Sequence, residues 1–333
     1  MPEPRSNHLT PIGIDISKDT FESCLKQPDG SFHSHSFANQ KRGFEGLLEW
    51  IDSHTHGPIR IGVEATGPYA VELLHFLTEN NLTVALLNPR HAKDFARSLG
   101  SRVKTDKVDA KLIARFIESV EPRNWTPCPQ DVSELQALMR RRAQLVDAKQ
   151  AASNRLHSRR RASMGKPCLA LCSIEREIRF FDEELQSIDE ALADLLKRSI
   201  SLQTSERLLR SIPGIGRIVA LTILSEIPFI TSFGRAREVA AFAGLTPALK
   251  QSGTSLNRRG HLTKEGSRAL RKQLYMAALN VVRRDNTLKP SYDAMVTRGK
   301  PKMVALCATM HRLLRISFGV LKHQSPFVPC LSH

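Results

Sequence analysis

The sequence predicts an α/β N-terminal domain, then two long helices packed as an antiparallel coiled coil, then a mostly α C-terminal domain. Three observations carry that prediction. Residues 1–125 alternate short apolar runs with helical patterns, as strands and helices sharing one sheet do. Apolar residues then recur at heptad spacing up to about residue 195. Beyond that, helical stripes continue while the chain becomes strongly basic. The 333 residues suit about two domains. We divide them into residues 1–125, 126–205 and 206–333.

The elements follow in order. Residues 11–17 read as a buried strand, Thr20 to Lys26 as a second, and Phe32 to Ala38 as a third after the turn Pro28-Asp29-Gly30. A helix over about 41–54 places Phe44, Leu47, Leu48 and Ile51 on one face. Ile59 to Ala65 is a strand, Gly67-Pro68 opens a helix ending near Asn80-Asn81, and Leu82 to Leu87 is a further strand stopped by Asn88-Pro89. Helices fill the interval to about residue 120. Three antiparallel strands followed by β-α-β-α units make a mixed sheet flanked by helices. That is a ribonuclease-H-like pattern, in which acids on the first strand, a later strand and a final helix meet at one edge.

The acids here are Asp15, Glu64, Asp106 and Asp109. Asp106 and Asp109 lie three apart at the start of a helical pattern, so they share a face. Asp15 and Glu64 sit at strand ends, where an unpaired buried carboxylate is costly without a partner or a metal. Four carboxylates make a hard-oxygen nest suited to Mg²⁺. Taken alone, the helical pair is better explained by capping, with Asp106 as N-cap and Asp109 reaching back, because capping pairs are commoner than metal sites; acids at the ends of two strands of the same domain reduce that advantage.

Pro122, Pro127 and Pro129 mark a linker. Leu135, Leu138, Leu145, Ala152 and Leu156 then form a seam interrupted by Arg142 and Lys149. After Gly165-Lys166-Pro167 a cleaner seam runs through Ile174, Ile178, Phe181, Leu185, Ile188, Leu192 and Leu195. The hairpin closes on itself or pairs with another subunit. Arg140, Arg141, Arg159 and Arg160 lie on the first arm, either as a solvated face or as nucleic-acid contacts.

Ile212-Pro213-Gly214-Ile215-Gly216 resembles a helix-hairpin-helix turn, whose glycine N–H groups, Gly214 and Gly216, can hold a phosphate. An ordinary helix–helix turn has the same composition. After Ala240 to Pro247 comes Lys250-Gln251-Ser252-Gly253-Thr254-Ser255, read as a loop, with Arg258, Arg259, Arg268, Arg271 and Lys272 following. A last helix covers about 302–321.

Charge separates the parts. The net charge is +16, yet residues 1–125 hold 15 Lys and Arg against 16 Asp and Glu. Residues 231–333 hold 18 against 4. A basic surface of that density attracts polyphosphate and releases counterions on binding, so nucleic acid is the expected partner. The six cysteines are scattered, with only Cys168 and Cys172 close and no second pair for a zinc site. No uncharged apolar run of about 18 residues and no apolar signal core occur, so no membrane partner and a cytoplasmic location are expected.

Gly13-Ile14-Asp15, Glu64-Ala65-Thr66-Gly67, Asn88-Pro89, Lys104 to Ala110, Ile212 to Gly216, Phe242 to Pro247 and Ser252-Gly253, in that order and spacing, resemble one family. It is the DEDD transposases of bacterial insertion sequences, the IS-one-ten family. The resemblance covers nearly the whole chain and implies a RuvC-like N-terminal domain whose acids fall on Asp15, Glu64, Asp106 and Asp109. It implies a C-terminal transposase domain with a nucleophilic serine at Ser252, and Mg²⁺ as cofactor. It further implies element and target DNA as substrates, a structured guide RNA, and self-association as a dimer, with a tetramer in the active complex. Thr263-Lys264-Glu265-Gly266 departs from the Ser-Lys-x-Gly expected there. The competing chemistry is a metal-dependent nuclease of the Holliday-junction type, in which water attacks and Ser252 is a loop residue; a non-catalytic scaffold is the third possibility.

Overall fold

Apolar alternation in the first sixty residues builds a sheet that positions everything else in the N-terminal half. The computed structural model describes residues 9–329 except 56, 65–66, 100–105, 165, 167, 253–255, 264–265 and 285. Side chains at 68, 91, 106–108, 248–252 and 256–261 are outside that description. The chain divides into two compact units, Met1–Pro127 and Cys128–His333.

In the first unit, β1 (Thr10–Ile16), β2 (Thr20–Lys26) and β3 (Phe32–Ala38) precede α1 (Lys41–His54) and β4 (Ile59–Glu64). A 3₁₀ turn (Gly67–Ala70) leads to α2 (Val71–Glu79), β5 (Val84–Leu87), α3 (Pro89–Ser98) and α4 (Asp106–Ser119). The strands form one mixed sheet in the order β3-β2-β1-β4-β5. β2 is antiparallel to β1 and β3, while β4 is parallel to β1 and β5. Helices cover both faces, so the central strands are apolar on both sides. Ile12, Ile14, Ile61 and Val63 pack with Phe44, Leu47 and Ile51 of α1 and Leu73, Leu74 and Leu77 of α2. On the other face Ala85 and Leu87 pack with Ile113, Phe116 and Ile117 of α4. β3 is an edge strand whose His33, Ser34, His35 and Ser36 are exposed.

The second unit opens with α5 (Gln130–Ala162) and α6 (Leu169–Arg198). They pack on each other within the chain, and Arg142–Asp189, Lys149–Asp182, Arg155–Glu177 and Arg160–Glu175 pair across them. Partner numbers fall on α6 as they rise on α5, so the hairpin is antiparallel. Arg142 and Lys149, which break the apolar seam of α5, meet acids of α6. Such partly exposed pairs are each worth only about 0–1 kcal/mol, so they specify register more than they stabilise. At the base of the hairpin Leu135, Met139, Leu192 and Leu195 are buried in the core of the C-terminal helices. Farther out, Ile174, Ile178, Phe181 and Leu185 are only partly covered.

The remaining elements are α7 (Ile200–Arg210), α8 (Arg217–Glu226), α9 (Ala236–Phe242), α10 (Arg268–Arg283), α11 (Lys289–Thr297) and α12 (Lys302–His323), with a hairpin of β6 (Pro247–Ser252) and β7 (Leu256–Leu262). The segment read as loop from Lys250 is therefore partly strand: Lys250, Gln251 and Ser252 pair with Arg258, Asn257 and Leu256. Its small polar residues disguise a strand that owes its pairing to β7 rather than to its own β propensity. α12 is long and apolar enough by composition to cross a membrane, yet 56% of that window is buried inside the fold. Its Leu313, Leu314 and Leu321 belong to the second core.

Candidate active site

Two glycines let a helix settle on the sheet face that carries Asp15 and Glu64. Gly13 of β1 faces α4, and a Cβ there would lie 2.1 Å from the Ala110 carbonyl oxygen and 2.4 Å from the Ala114 nitrogen. A Cβ on its parallel neighbour Gly62 would lie 2.1 Å from Ile117 Cδ1. Side chains alternate along a strand, so Asp15, two residues past Gly13, also points to the α4 face. In the β1–β4 register Gly13 matches Gly62, which sets Asp15 level with Glu64. Both acids thus stand at the carboxyl ends of adjacent parallel strands. α4 begins at Asp106, and Asp109 lies one residue before the Ala110 that covers Gly13.

Asp15, Glu64 and Asp109 are each half-buried and each takes part in interactions within the chain. The backbone of Asp106 starts α4, and its side chain lies outside the described residues. Among the described residues, no three carboxylate, imidazole or thiol groups stand close enough together to hold a metal ion. The donor set is nonetheless all carboxylate, the chemistry a hard divalent cation selects. One further oxygen in the same row, Glu22 Oε2, is buried with no hydrogen-bond partner. A buried, electron-rich atom without a donor fits a site that takes a cation. α4 is also clasped from the sheet edge: Lys111 Nζ stands 4.2 Å and the Arg115 guanidinium 5.3 Å from the Phe32 ring centroid.

In the second unit Ser252 ends β6, in register with Leu256. Lys250, two residues earlier, is in register with Arg258. The side chains of Ser252, Arg258 and Arg259 lie outside the described residues. The other basic residues separate into two kinds. Arg140, Arg268 and Lys272 line one groove of about 560 Å³ between α5, α8 and α10, together with Thr222, Asp147 and Glu226. Lys272 pairs with Asp147 at 2.7 Å. Arg271 instead turns inward and donates to the carbonyls of Ala243 and Gly266, at 3.2 and 2.6 Å. Burial pushes its pKa below the ordinary arginine value. It holds the chain around the hairpin, where a Cβ on Gly266 would lie 2.2 Å from the Phe242 carbonyl. On the helical arm, Arg160 pairs with Glu175 at 2.6 Å and Arg141 approaches Glu184 at 4.0 Å, while Arg159 is exposed.

Gly214 adopts φ +88°, and a Cβ on it would lie 2.5 Å from Val281 Cγ2. The turn and the close approach of α10 account for that glycine by themselves. Gly216 is the exposed N-cap of α8.

Two family patterns match this chain: one described as a DEDD transposase of IS110 type over residues 12–159, and one described as "Transposase IS116/IS110/IS902 family" over residues 206–293. The chain is 30% identical over 321 residues to the pilin gene-inverting protein of Moraxella bovis, covering 96% of this chain and 97% of the relative. It is 23% identical to the transposase for insertion sequence element IS1328 of Yersinia enterocolitica, covering 96% and 99%. It is 26% identical to the transposase for insertion sequence element IS1111A of Coxiella burnetii, covering 82% and 78%.

Proposed function

The chain belongs to the IS110 family of transposases, and from that premise we propose that it cuts and rejoins DNA through a covalent serine intermediate formed with the help of its carboxylates. The observation that carries this reading is the seating of α4 on Gly13 and Gly62, which brings Asp109 towards the strand ends bearing Asp15 and Glu64. In this reading the N-terminal unit is a RuvC-like domain, supported by its sheet order and by acids on β1, β4 and α4. Residues 126–205 form the linker and coiled coil, and residues 206–333 the transposase domain.

Asp15, Glu64, Asp106 and Asp109 would hold Mg²⁺. When bound, the metal supplies positive charge that polarises the scissile phosphate and offsets charge developing there. Ser252 Oγ attacks the phosphorus. The bond from phosphorus to the 3′ oxygen breaks, and the hydroxyl proton passes to that oxygen. The products are a 5′-phosphoserine linkage and a free 3′-hydroxyl. Because the phosphodiester energy is kept in the serine bond, a new 3′-hydroxyl can reverse the step without a nucleotide cofactor.

Element and target DNA are the substrates, a structured RNA guides their pairing, and the active complex is a tetramer built from dimers in the cytoplasm. The test is a denaturing gel of labelled element-end DNA with protein, RNA and Mg²⁺. Asp15→Ala and Asp109→Ala are each expected to abolish strand cleavage and leave nucleic-acid binding near wild type. Wild-type cleavage in both would remove the carboxylates from the mechanism.

The groove of Arg140, Arg268 and Lys272 contributes backbone contacts in the same reading. Replacing Arg268 and Lys272 together by alanine is expected to weaken binding and to reduce the slope of log affinity against log salt. Loss of two phosphate contacts lowers that slope by about 2. Fluorescence anisotropy across a salt series measures it, and an unchanged slope would take the groove out of the interface. Arg271→Ala is expected to act through folding of the hairpin rather than through that slope.

A further inference from the structure

α12 carries no carboxylate along its 22 residues. Arg312, Arg315, Gly319 and Lys322 follow one another at steps of three, four and three, so they share one face of the helix. Arg312 and Arg315 are exposed, and with Ile316 and Ala236 of α9 they line an open concavity of about 340 Å³. Lys322 donates to the carbonyls of Thr231 and Phe233 at 2.8 and 3.2 Å. Those bonds hold the chain entering α9 against α12. The exposed Arg235 and Arg237 therefore flank Ala236 beside the same concavity.

The charge of this face is not matched within the fold. Arg142, Arg155, Arg160 and Arg198 of the same unit each pair with a carboxylate. Among the described residues, none of Arg235, Arg237, Arg312 and Arg315 forms an ion pair. Glu238, the one acid of α9, accepts from the Gly234 N–H at 3.2 Å. Gly319 adds an independent observation, because a Cβ there would meet nothing within 4 Å. No neighbour in the fold requires a glycine at that place, and glycine inside a helix is unfavourable relative to alanine. An empty place beside two arginines lets a rigid backbone approach the helix closely.

We propose that this face of α9 and α12 seats the phosphate backbone of duplex DNA, as a second surface separate from the groove of Arg140, Arg268 and Lys272. The two surfaces share no lining residue and no helix. The proposal rests on the DNA-processing reading above and extends it to a surface that reading leaves unused. Duplex DNA fits better than structured RNA, because no aromatic ring lines the concavity among the described residues to stack an unpaired base. No amide or carboxylate lines it either, so base edges go unread and the contact is independent of sequence. A duplex offers regular lines of phosphate, and each guanidinium meets a phosphate as a planar fork.

The experiment measures binding of the full-length protein to fluorescent duplex DNA by anisotropy across a salt series, and in parallel to a fluorescent hairpin RNA. Wild type is compared with Arg312→Ala plus Arg315→Ala, Arg312→Lys plus Arg315→Lys, Gly319→Gln, and the groove pair Arg268→Ala plus Lys272→Ala. The alanine pair on α12 is expected to lower the slope of log affinity against log salt by about 2, since two phosphate contacts are lost. The loss should be the same for duplexes of different sequence. The lysine pair keeps the charge and should keep the slope. Gly319→Gln should weaken DNA binding yet melt no lower than wild type, because its side chain enters open space. An unchanged slope in the alanine pair, with a fall in the groove pair, would overturn this surface and leave the DNA reading standing. A fall for hairpin RNA without one for duplex DNA would also overturn it, giving the surface to RNA. No binding of DNA by wild type would overturn both. Should the alanine pair melt below wild type, Gly319→Gln at wild-type affinity is the overturning result.

Discussion

Ser252→Ala is expected to bind nucleic acid as the wild type does and to form no protein–DNA adduct. The substitution removes one oxygen from the last residue of β6, whose backbone pairing with Leu256 does not use the side chain. Stability should therefore change by less than about 0.5 kcal/mol, as for substitutions away from packed or capped positions. Chemistry should change far more. Deleting a covalent nucleophile costs roughly 10⁶-fold where it has been measured in a serine enzyme. Labelled DNA on a denaturing gel should show a protein-linked band in Mg²⁺ with wild type, and none with Ser252→Ala. A band that persists in the variant would move the nucleophile to Ser255 or Thr254, which lie outside the described residues. Nicking without a band in either protein would make water the attacking group.

Gly13→Ala is expected to cut cleavage about 100-fold or more while Gly62→Ala has a milder effect. The two glycines are neighbours in register and both face α4, but what a new methyl group would strike differs. At Gly13 the obstacles are backbone atoms, the Ala110 oxygen at 2.1 Å and the Ala114 nitrogen at 2.4 Å. Relief there requires α4 itself to move. At Gly62 the nearest atom is the end of the Ile117 side chain, at 2.1 Å, which can change rotamer. Overpacking of either kind costs about 1–3 kcal/mol of stability. Displacing Asp109 by about 1 Å costs about 100-fold in rate, because catalytic groups must keep their geometry. Urea unfolding reads the first effect and the cleavage assay the second. Equal cleavage by Gly13→Ala and wild type would show that α4 need not be seated for the acids to work.

Much of the first unit was legible in the sequence. The second and third strands and the first helix match their expected bounds to the residue, since alternation, the Pro-Asp-Gly turn and the Phe44, Leu47, Ile51 stripe are local signals. β5 begins two residues later than expected, at Val84, because pairing with β4 rather than composition decides where it starts. The strand at Lys250 to Ser252 was misread as loop for the same reason. In the basic region, composition treated Arg268, Arg271 and Lys272 alike. The fold separates them, since α10 turns Arg271 onto two carbonyls and leaves the others in a groove.

The sequence by itself determined the order of elements, the antiparallel pair of long helices and the family. Those properties reside in residue type and spacing along the chain, which act over a turn or a strand. Tertiary structure decided which residues face one another. Glu22 comes opposite Asp15 through strand register, Asp189 and Asp182 come to Arg142 and Lys149 through the fold of the hairpin, and α4 meets Gly13 across nearly a hundred residues. Such meetings depend on how buried surfaces fit between segments distant in sequence, and no local pattern encodes them.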